Sequence, residues 1–302
     1  MVRAAGGPQQ GHRLRATSPP HQGGEPRVTI TAPALDLLRA ARREGYALAA
    51  LNAVNMETAQ AAVRAAEAEG APVILQFSQN AARYAGLPML AALGRELRAC
   101  AAVPVILHFD HAESPDVAWQ AVEAGFDGVM LESDDPAVLA PLAERLHAAG
   151  AYLEAEYEVT EKGERQATQH QDLAQLAQFA RDSRCDLLAV ALGSVHKQAQ
   201  KTTRLDLERL EAIAAQTPLP LVLHGASGVV EADLEVAARC GLSKVNVATE
   251  LTTAFSEAAL EVFQTGARDP RRALGAGREA YQARARAVIR LLGASGKARA
   301  LR

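Results

Sequence analysis

Aromatic residues, cysteines and long apolar segments are all scarce in this chain. Only 4% of the residues are aromatic and no block of lysine or arginine stands apart, so we expect no nucleic-acid partner. Cys100, Cys185 and Cys240 are widely spaced and form no CxxC pair, which argues against a disulfide framework and against a structural zinc knot. Because no apolar run reaches the roughly 18 residues of a membrane span, we expect no contact with a membrane.

Length and apolar content favour one large domain. Hydrophobic residues make up 49% of the 302 residues, and the formal net charge is -3. This length is typical of a single β/α barrel. Residues 1–27 have almost no apolar pattern and no apolar core of a secretory signal, so they are predicted to be a disordered leader or a mis-assigned start. We therefore expect a cytoplasmic protein with its barrel domain at residues 28–302.

From residue 46 the sequence repeats one unit, an apolar run of strand length followed by a polar turn and an Ala-rich amphipathic stretch. Near-continuous apolar runs are typical of parallel strands that are covered by helices. The eight runs are Tyr46–Val54, Pro72–Ser78, Pro104–Ala112, Asp127–Ser133, Ala151–Val159, Asp186–His196, Leu219–Gly228 and Leu242–Thr249.

The segments between the runs carry helix signals. Ser114 and Asp135 each precede a proline and are predicted N-caps. Glycines at 70, 125, 150 and 241 are predicted to end helices. Eight short β/α units predict an α/β fold, a single closed (β/α)8 TIM barrel, with a doubly wound sheet as the alternative. Pro270–Leu292 is predicted to be an extra C-terminal helix, packed on the barrel or on a second subunit.

Three histidines lie at the predicted carboxyl ends of strands, which is the face where barrel enzymes place their sites. These are His111, His196 and His224. Three imidazoles around an open position are typical of a catalytic zinc site. Asp110 directly precedes His111, so it is a candidate proton donor or acceptor, or else a group that fixes a histidine tautomer. His108 lies deeper in the strand and is predicted to be structural.

The loops after the last two strands favour an anion site. Small residues let backbone N–H groups approach an anion, and the helix that follows adds a favourable field. In barrels these two loops frequently bind phosphate. Strand five carries Glu154-Ala155-Glu156, where Glu156 is a candidate metal ligand, and the longer loop that follows carries Glu158, Glu161 and Glu164. The candidate phosphate-binding residues are Gly225, Ala226, Ser227, Asn246, Val247, Ala248 and Thr249.

These residues resemble the class II ketose-bisphosphate aldolases, the fructose- and tagatose-bisphosphate family, over roughly residues 46–297. The pair LHGASG and KVNVATEL is most similar to the tagatose-type branch. The segments that carry the resemblance are LNAVN, QFSQNAARYAG, PVILHFDHAES, GFDGVML, EAE, LAVALGSVH, PLVLHGASG and KVNVATEL.

The resemblance implies a role for each matching residue. His111, His196 and His224 match the ligands of Zn²⁺ or another divalent metal, and a monovalent cation is a further candidate. Asp110 matches the proton donor to the C4 oxygen of the ketose, and Glu156 matches an alternative metal ligand. Glu164 matches the glutamate that abstracts the proton from C1 of dihydroxyacetone phosphate. The two loops match the binding site for dihydroxyacetone phosphate, and Asn52 and Ser78 match other site positions. The implied substrate is a phosphorylated ketose, and the implied assembly is a homo-oligomer, a dimer or a tetramer.

The chain also departs from the family pattern in the loops. The usual Gly-Gly pair after strand five is Glu161-Lys162, and the glycine after the second histidine is Lys197, which is still a candidate phosphate contact. These changes leave open a non-catalytic sugar-phosphate-binding paralogue. A second alternative is a Schiff-base aldolase that uses Lys197 or Lys244, which would leave the three histidines without a purpose.

Overall fold

The eight predicted strands are present and form one closed barrel. The computed structural model describes residues 34–157, 172–194 and 201–298. All strand pairs are parallel, and β8 pairs with β1 to close the barrel in the order β1 to β8. The strands are β1 (Leu48–Asn52), β2 (Val73–Ser78), β3 (Val105–Ala112), β4 (Gly128–Leu131), β5 (Tyr152–Glu156), β6 (Leu187–Ala189), β7 (Leu221–Leu223) and β8 (Leu242–Val247). The closed-barrel prediction is confirmed, and the doubly wound alternative is wrong.

Helices surround the barrel, with one before β1 and two between β2 and β3. None of the helices in the described ranges is long and apolar enough to cross a membrane. The helices are α1 (Ala34–Glu44), α2 (Met56–Glu69), α3 (Gln79–Ala85), α4 (Leu87–Cys100), α5 (Pro115–Glu123), α6 (Pro136–Ala148), α7 (Leu173–Asp182), α8 (Leu207–Gln216), α9 (Glu231–Arg239), α10 (Thr249–Gln264) and α11 (Pro270–Leu291).

The predicted N-caps at Ser114 and Asp135 and the predicted helix end at Gly70 are confirmed. The Ser114 side chain accepts a hydrogen bond from the backbone N–H of Val117 at the start of α5, and Asp135 accepts from Ala137 at the start of α6. Gly70 ends α2 in the left-handed conformation, with φ 57°. Caps of this kind fix the short connections that a closed barrel needs.

The extra C-terminal helix packs on its own barrel. The Tyr281 hydroxyl of α11 is buried and donates to the carbonyl oxygen of Asn52 at the end of β1, at 2.9 Å. A Cβ at Gly277 would come within 2.8 Å of the Phe255 carbonyl oxygen, so glycine allows α10 and α11 to approach closely. Of the two predicted positions for this helix, packing on the barrel is therefore confirmed.

Candidate active site

A cavity of about 340 Å³ opens at the carboxyl ends of the strands. In the eight-stranded barrel, β3 and β4 lie opposite β7 and β8. The cavity is therefore lined by loops from opposite sides of the barrel opening. Its lining residues are Asn52, Ser78, Gln79, Asn80, Asp110, His111, Glu113, Glu132, Gly225, Ser227, Asn246, Ala248 and Thr249.

A bulge at the end of β3 places two adjacent residues in this cavity. Strand alternation alone would point Asp110 and His111 in opposite directions. Between Phe109 and Ala112, however, the register with β4 shifts, and His111 has φ 57° in the left-handed region. A non-glycine residue rarely adopts this conformation, and such strain is concentrated at functional sites. The bulge brings both side chains to the cavity wall.

Amides from two neighbouring strands hold the Asp110 carboxylate. Its two oxygens accept weak hydrogen bonds from Asn52 at 3.5 Å and from Asn246 at 3.4 Å. Burial alone would raise the pKa of Asp110, but the nearby charges of His111 and Lys244 outweigh it, and the pKa lies below its usual value. The carboxylate is therefore ionised at neutral pH, which is the form that a proton acceptor requires.

His224 lies at the end of β7 between two carboxylates of β5. Its Nε2 is 2.9 Å from Glu154 Oε1, and its Nδ1 is 3.5 Å from Glu156 Oε1. The Ser194 hydroxyl donates to the His224 carbonyl oxygen at 2.7 Å. Burial would lower the pKa of His224, but Glu156 and Glu154 raise it to about 10. A positive charge is therefore favoured at this position.

The described side chains include donor atoms of the kind that bind a divalent metal, although they do not converge into a complete metal site. The ring centroids of His111 and His224 are 5.5 Å apart, and Glu156 lies beside His224. Two imidazoles and a carboxylate are a donor set that zinc accepts. Within the ranges that the structure describes, no three His, Cys, Asp or Glu side chains converge as a metal-binding group. His196, the third predicted ligand, lies outside those ranges.

Both predicted phosphate loops reach the cavity. Gly225 adopts φ 69° before a short 3₁₀ turn at Ala226–Gly228, and the Ser227 hydroxyl accepts from the Glu250 backbone N–H at 3.3 Å. Gly225, Ser227, Asn246, Ala248 and Thr249 line the cavity. Ala226 and Val247 are buried and are not among the lining residues.

Of the other predicted site residues, some line the cavity and some lie outside the described ranges. Asn52 and Ser78 line the cavity, and Ser78 also caps α3 by accepting from the Ala81 backbone N–H at 3.2 Å. Lys197, Glu164 and the competing glutamates Glu158 and Glu161 lie outside the described residues. Residues 1–27 do so as well, so the predicted leader is not described.

Two charged residues inside the barrel had no assigned partner in the sequence. Glu154 and Lys244 are fully buried, and Lys244 Nζ lies 2.7 Å from Glu154 Oε2. An acidic and a basic residue at interior positions of two barrel strands were the available signal, since buried charges must be paired. Lys244 is committed to this ion pair, which argues against its use as a Schiff-base lysine.

His108 has the structural role that was predicted for it. It is fully buried, and its Nδ1 lies 2.9 Å from the Tyr152 hydroxyl. Burial, followed by the charge of Lys244, lowers the pKa of His108 to about 3. The ring is therefore neutral at physiological pH.

Comparison with known proteins agrees with this geometry. A family model described as fructose-bisphosphate aldolase class-II matches residues 32–297. The fructose-bisphosphate aldolase of Geobacillus stearothermophilus is 34% identical over 280 residues, which cover 87% of this chain and 97% of that protein. The 6-phospho-5-dehydro-2-deoxy-D-gluconate aldolase of Bacillus velezensis is 33% identical over 278 residues and covers 87% of this chain and 95% of its own length.

A solved structure supports the same assignment. The X-ray structure of the YdjI aldolase from Escherichia coli K12 superposes with a TM-score of 0.77 at 28% identity, covering 88% of this chain and 99% of that chain. The two similar sequences and this structure are all aldolases, although the substrates in the names of the two sequences differ. The chain therefore belongs to the class-II fructose-bisphosphate aldolase family and is an aldolase, an enzyme of the lyase class.

Proposed function

We propose that the chain cleaves a ketose phosphate, such as fructose 1,6-bisphosphate or tagatose 1,6-bisphosphate, into dihydroxyacetone phosphate and an aldehyde. The reaction depends on a divalent metal held by His111, His196 and His224, with Glu156 as an alternative ligand. The observation that carries the proposal is the bulge in β3, which turns both Asp110 and His111 toward the cavity. The loops after β7 and β8 line the same cavity.

Asp110 has the position and charge of the proton acceptor for cleavage. When the C3–C4 bond breaks, the C4 hydroxyl loses its proton to the Asp110 carboxylate and C4 becomes the aldehyde carbon. The electron pair of the broken bond stays on C3, as the enediolate of dihydroxyacetone phosphate. A bound divalent metal supplies Lewis acidity at the ketose carbonyl. In the reverse direction Asp110 returns the proton to the aldehyde oxygen.

The phosphate of the dihydroxyacetone fragment fits the loops after β7 and β8. Ser227 and Thr249 offer hydroxyls, and Gly225 leaves its backbone accessible to an anion. Thr249 is the first residue of α10, whose amino-terminal end favours negative charge. Lys197 is a further candidate phosphate contact. Glu164 is proposed to exchange the proton on the dihydroxyacetone carbon that becomes C3.

The substrate itself is proposed only as a class. Fructose and tagatose bisphosphates differ at C4, next to Asp110, and the 6-phospho-5-dehydro-2-deoxy-D-gluconate named for one relative lacks a second phosphate. A homo-oligomer and a bound monovalent cation stay predictions.

A cleavage assay over a panel of ketose phosphates tests the proposal. The panel contains fructose and tagatose 1,6-bisphosphates, their 1-phosphates and 6-phospho-5-dehydro-2-deoxy-D-gluconate. Each is assayed for dihydroxyacetone phosphate before and after chelation, and again after zinc is added back. We expect turnover that is lost with the chelator and restored by zinc. Turnover that survives chelation would favour a Schiff-base enzyme, and binding without turnover on any substrate would favour a sugar-phosphate-binding protein.

A further inference from the structure

A buried row of polar side chains lies behind His224 and has no part in the proposed chemistry. It consists of Tyr152, His108, Glu154 and Lys244, which come from β3, β5 and β8 and are all buried inside the barrel. A charged pair at this depth is costly to desolvate and needs good partners.

Glu154 is the junction of the row. Its Oε2 lies 2.7 Å from Lys244 Nζ, and its Oε1 lies 2.9 Å from His224 Nε2. His108 Nε2 lies 3.6 Å from Glu154 Oε2. Glu154 therefore links Lys244 to His224, with one carboxylate oxygen on each.

The contact with Glu154 determines which nitrogen of His224 would face a metal. A carboxylate on one ring nitrogen keeps the proton there and leaves the other nitrogen as the donor to a metal. Here the nitrogen bound to Glu154 is Nε2, and the nitrogen near Glu156 is Nδ1. Without Lys244, Glu154 would lose the partner that fixes its Oε2, and the direction of its Oε1 toward His224 would be less constrained.

We propose that Lys244 is a positioning residue for the metal site, acting through Glu154 to orient His224 and to present its Nδ1 to the metal. This inference rests on the proposed function, because it assumes that His224 is a metal ligand. Lys244 touches neither substrate nor metal in this account. It acts from one layer deeper in the barrel.

The alternative is that the Lys244–Glu154 pair only holds β5 and β8 in place. Two variants separate these roles. Lys244→Met leaves Glu154 buried without its lysine partner, so it is expected to lose both stability and metal affinity. Lys244→Met combined with Glu154→Gln leaves a neutral pair, which should regain stability but not metal affinity, because the amide holds the His224 proton less strongly than the carboxylate does.

Zinc affinity, measured by competition with a chromophoric chelator, is the first readout. Loss of an outer partner of a ligating histidine typically weakens metal binding about 10- to 100-fold, and we expect this loss for Lys244→Met and for the double variant. Arg98→Met is the matched control. It removes the cation from the Arg98–Asp127 pair, at 2.8 Å, near the amino ends of β3 and β4 and away from the cavity. Its zinc affinity should stay within about 3-fold of the unchanged chain.

The second readout is the ¹⁵N spectrum of His224 in the zinc-loaded chain. In the unchanged protein we expect the proton on Nε2, hydrogen-bonded and slow to exchange. In Lys244→Met that proton should exchange faster and its shift should move toward that of a free imidazole.

The outcomes distinguish this inference from the proposed function. If the unchanged chain binds no zinc, both fail. If it binds zinc and the double variant binds equally tightly, the positioning role alone is overturned and the pair is only structural. A His224 proton found on Nδ1 in the zinc-loaded chain would also overturn it.

Discussion

Two clusters of charged side chains have the same contact distance but very different surroundings. The inner cluster contains Glu154 and Lys244, which are fully buried 2.7 Å apart. In the outer cluster, Glu69 of α2 is 7% exposed and lies 2.7 Å from both Arg286 and Arg290 of α11, whose side chains reach water and are 39% and 56% exposed. Water screens the outer pairs, which typically contribute about 0–1 kcal/mol, whereas removing one partner of a buried pair costs about 3–5 kcal/mol. The depth of burial, rather than the contact distance, therefore decides how much each cluster contributes to stability.

The comparison predicts three kinds of variant. Changes at the cavity wall should reduce catalysis and leave stability unchanged. Changes in the outer cluster should reduce stability slightly and leave catalysis unchanged. Changes in the inner pair should affect both, because that pair lies between the core and the proposed metal site.

Asp110→Asn should have the largest effect, a loss of two to four decades in turnover, the scale of a positioned acid or base. The amide has nearly the same shape but cannot accept the C4 proton. Thermal unfolding and zinc content should match those of the unchanged chain. Turnover close to that of the unchanged chain would reduce Asp110 to a side chain that only orients its neighbours.

His224→Ala should lose most of the bound metal. The variant removes one proposed ligand and leaves Glu154 and Glu156 facing an empty position. Elemental analysis after dialysis measures the metal that remains per chain. Full occupancy would show that His224 is not a ligand.

Lys244→Met should lower the free energy of unfolding by about 3–5 kcal/mol, because it leaves Glu154 buried without its cation. Denaturant unfolding monitored by circular dichroism gives this value, and Arg98→Met, in a partly exposed pair, should lose much less. Equal losses in the two variants would contradict the argument from depth.

Glu69→Gln should have the smallest effect, on the order of 1 kcal/mol, with turnover unchanged. The hydrogen bond from Arg290, with help from Arg286 and Ser295, lowers the pKa of Glu69 from 4.5 to about 2 despite partial burial. A lowered pKa contributes stability above the unfolded value, and that stability is lost as the pH falls toward 2. The difference between the two proteins should therefore be constant above about pH 5 and shrink below it. A difference that persists at pH 2 would mean that the charge of Glu69 is irrelevant.

The fold could be read from the sequence because its signals are local. Apolar runs separated by caps such as Ser114 and Asp135 specify eight β/α units, and eight units close into a barrel. The runs extend beyond the observed strands because apolar residues continue into the buried loops, as in β6, where only Leu187–Ala189 pairs as a strand. Helix α1 was not assigned, although its buried Leu37 and Leu38 pack on the core.

The site was only partly readable because its geometry depends on distant contacts. The apolar periodicity of β3 could not show the bulge that turns His111 inward. The bulge is a one-residue shift in the pairing of β3 with β4, so it depends on a second strand. Nor could it pair Glu154 with Lys244, which are brought together only by barrel closure. His196, Lys197 and Glu164 lie outside the described residues, so their roles rest on the sequence and on the family resemblance.

A zinc titration of the metal-free chain tests the central claim most directly. Turnover on the best ketose phosphate of the panel is followed as zinc is added to a known concentration of chain. The account predicts no turnover without metal, a linear rise and a plateau at about one zinc per chain. Full turnover before any zinc is added, or a plateau that does not depend on the amount of chain, would contradict it.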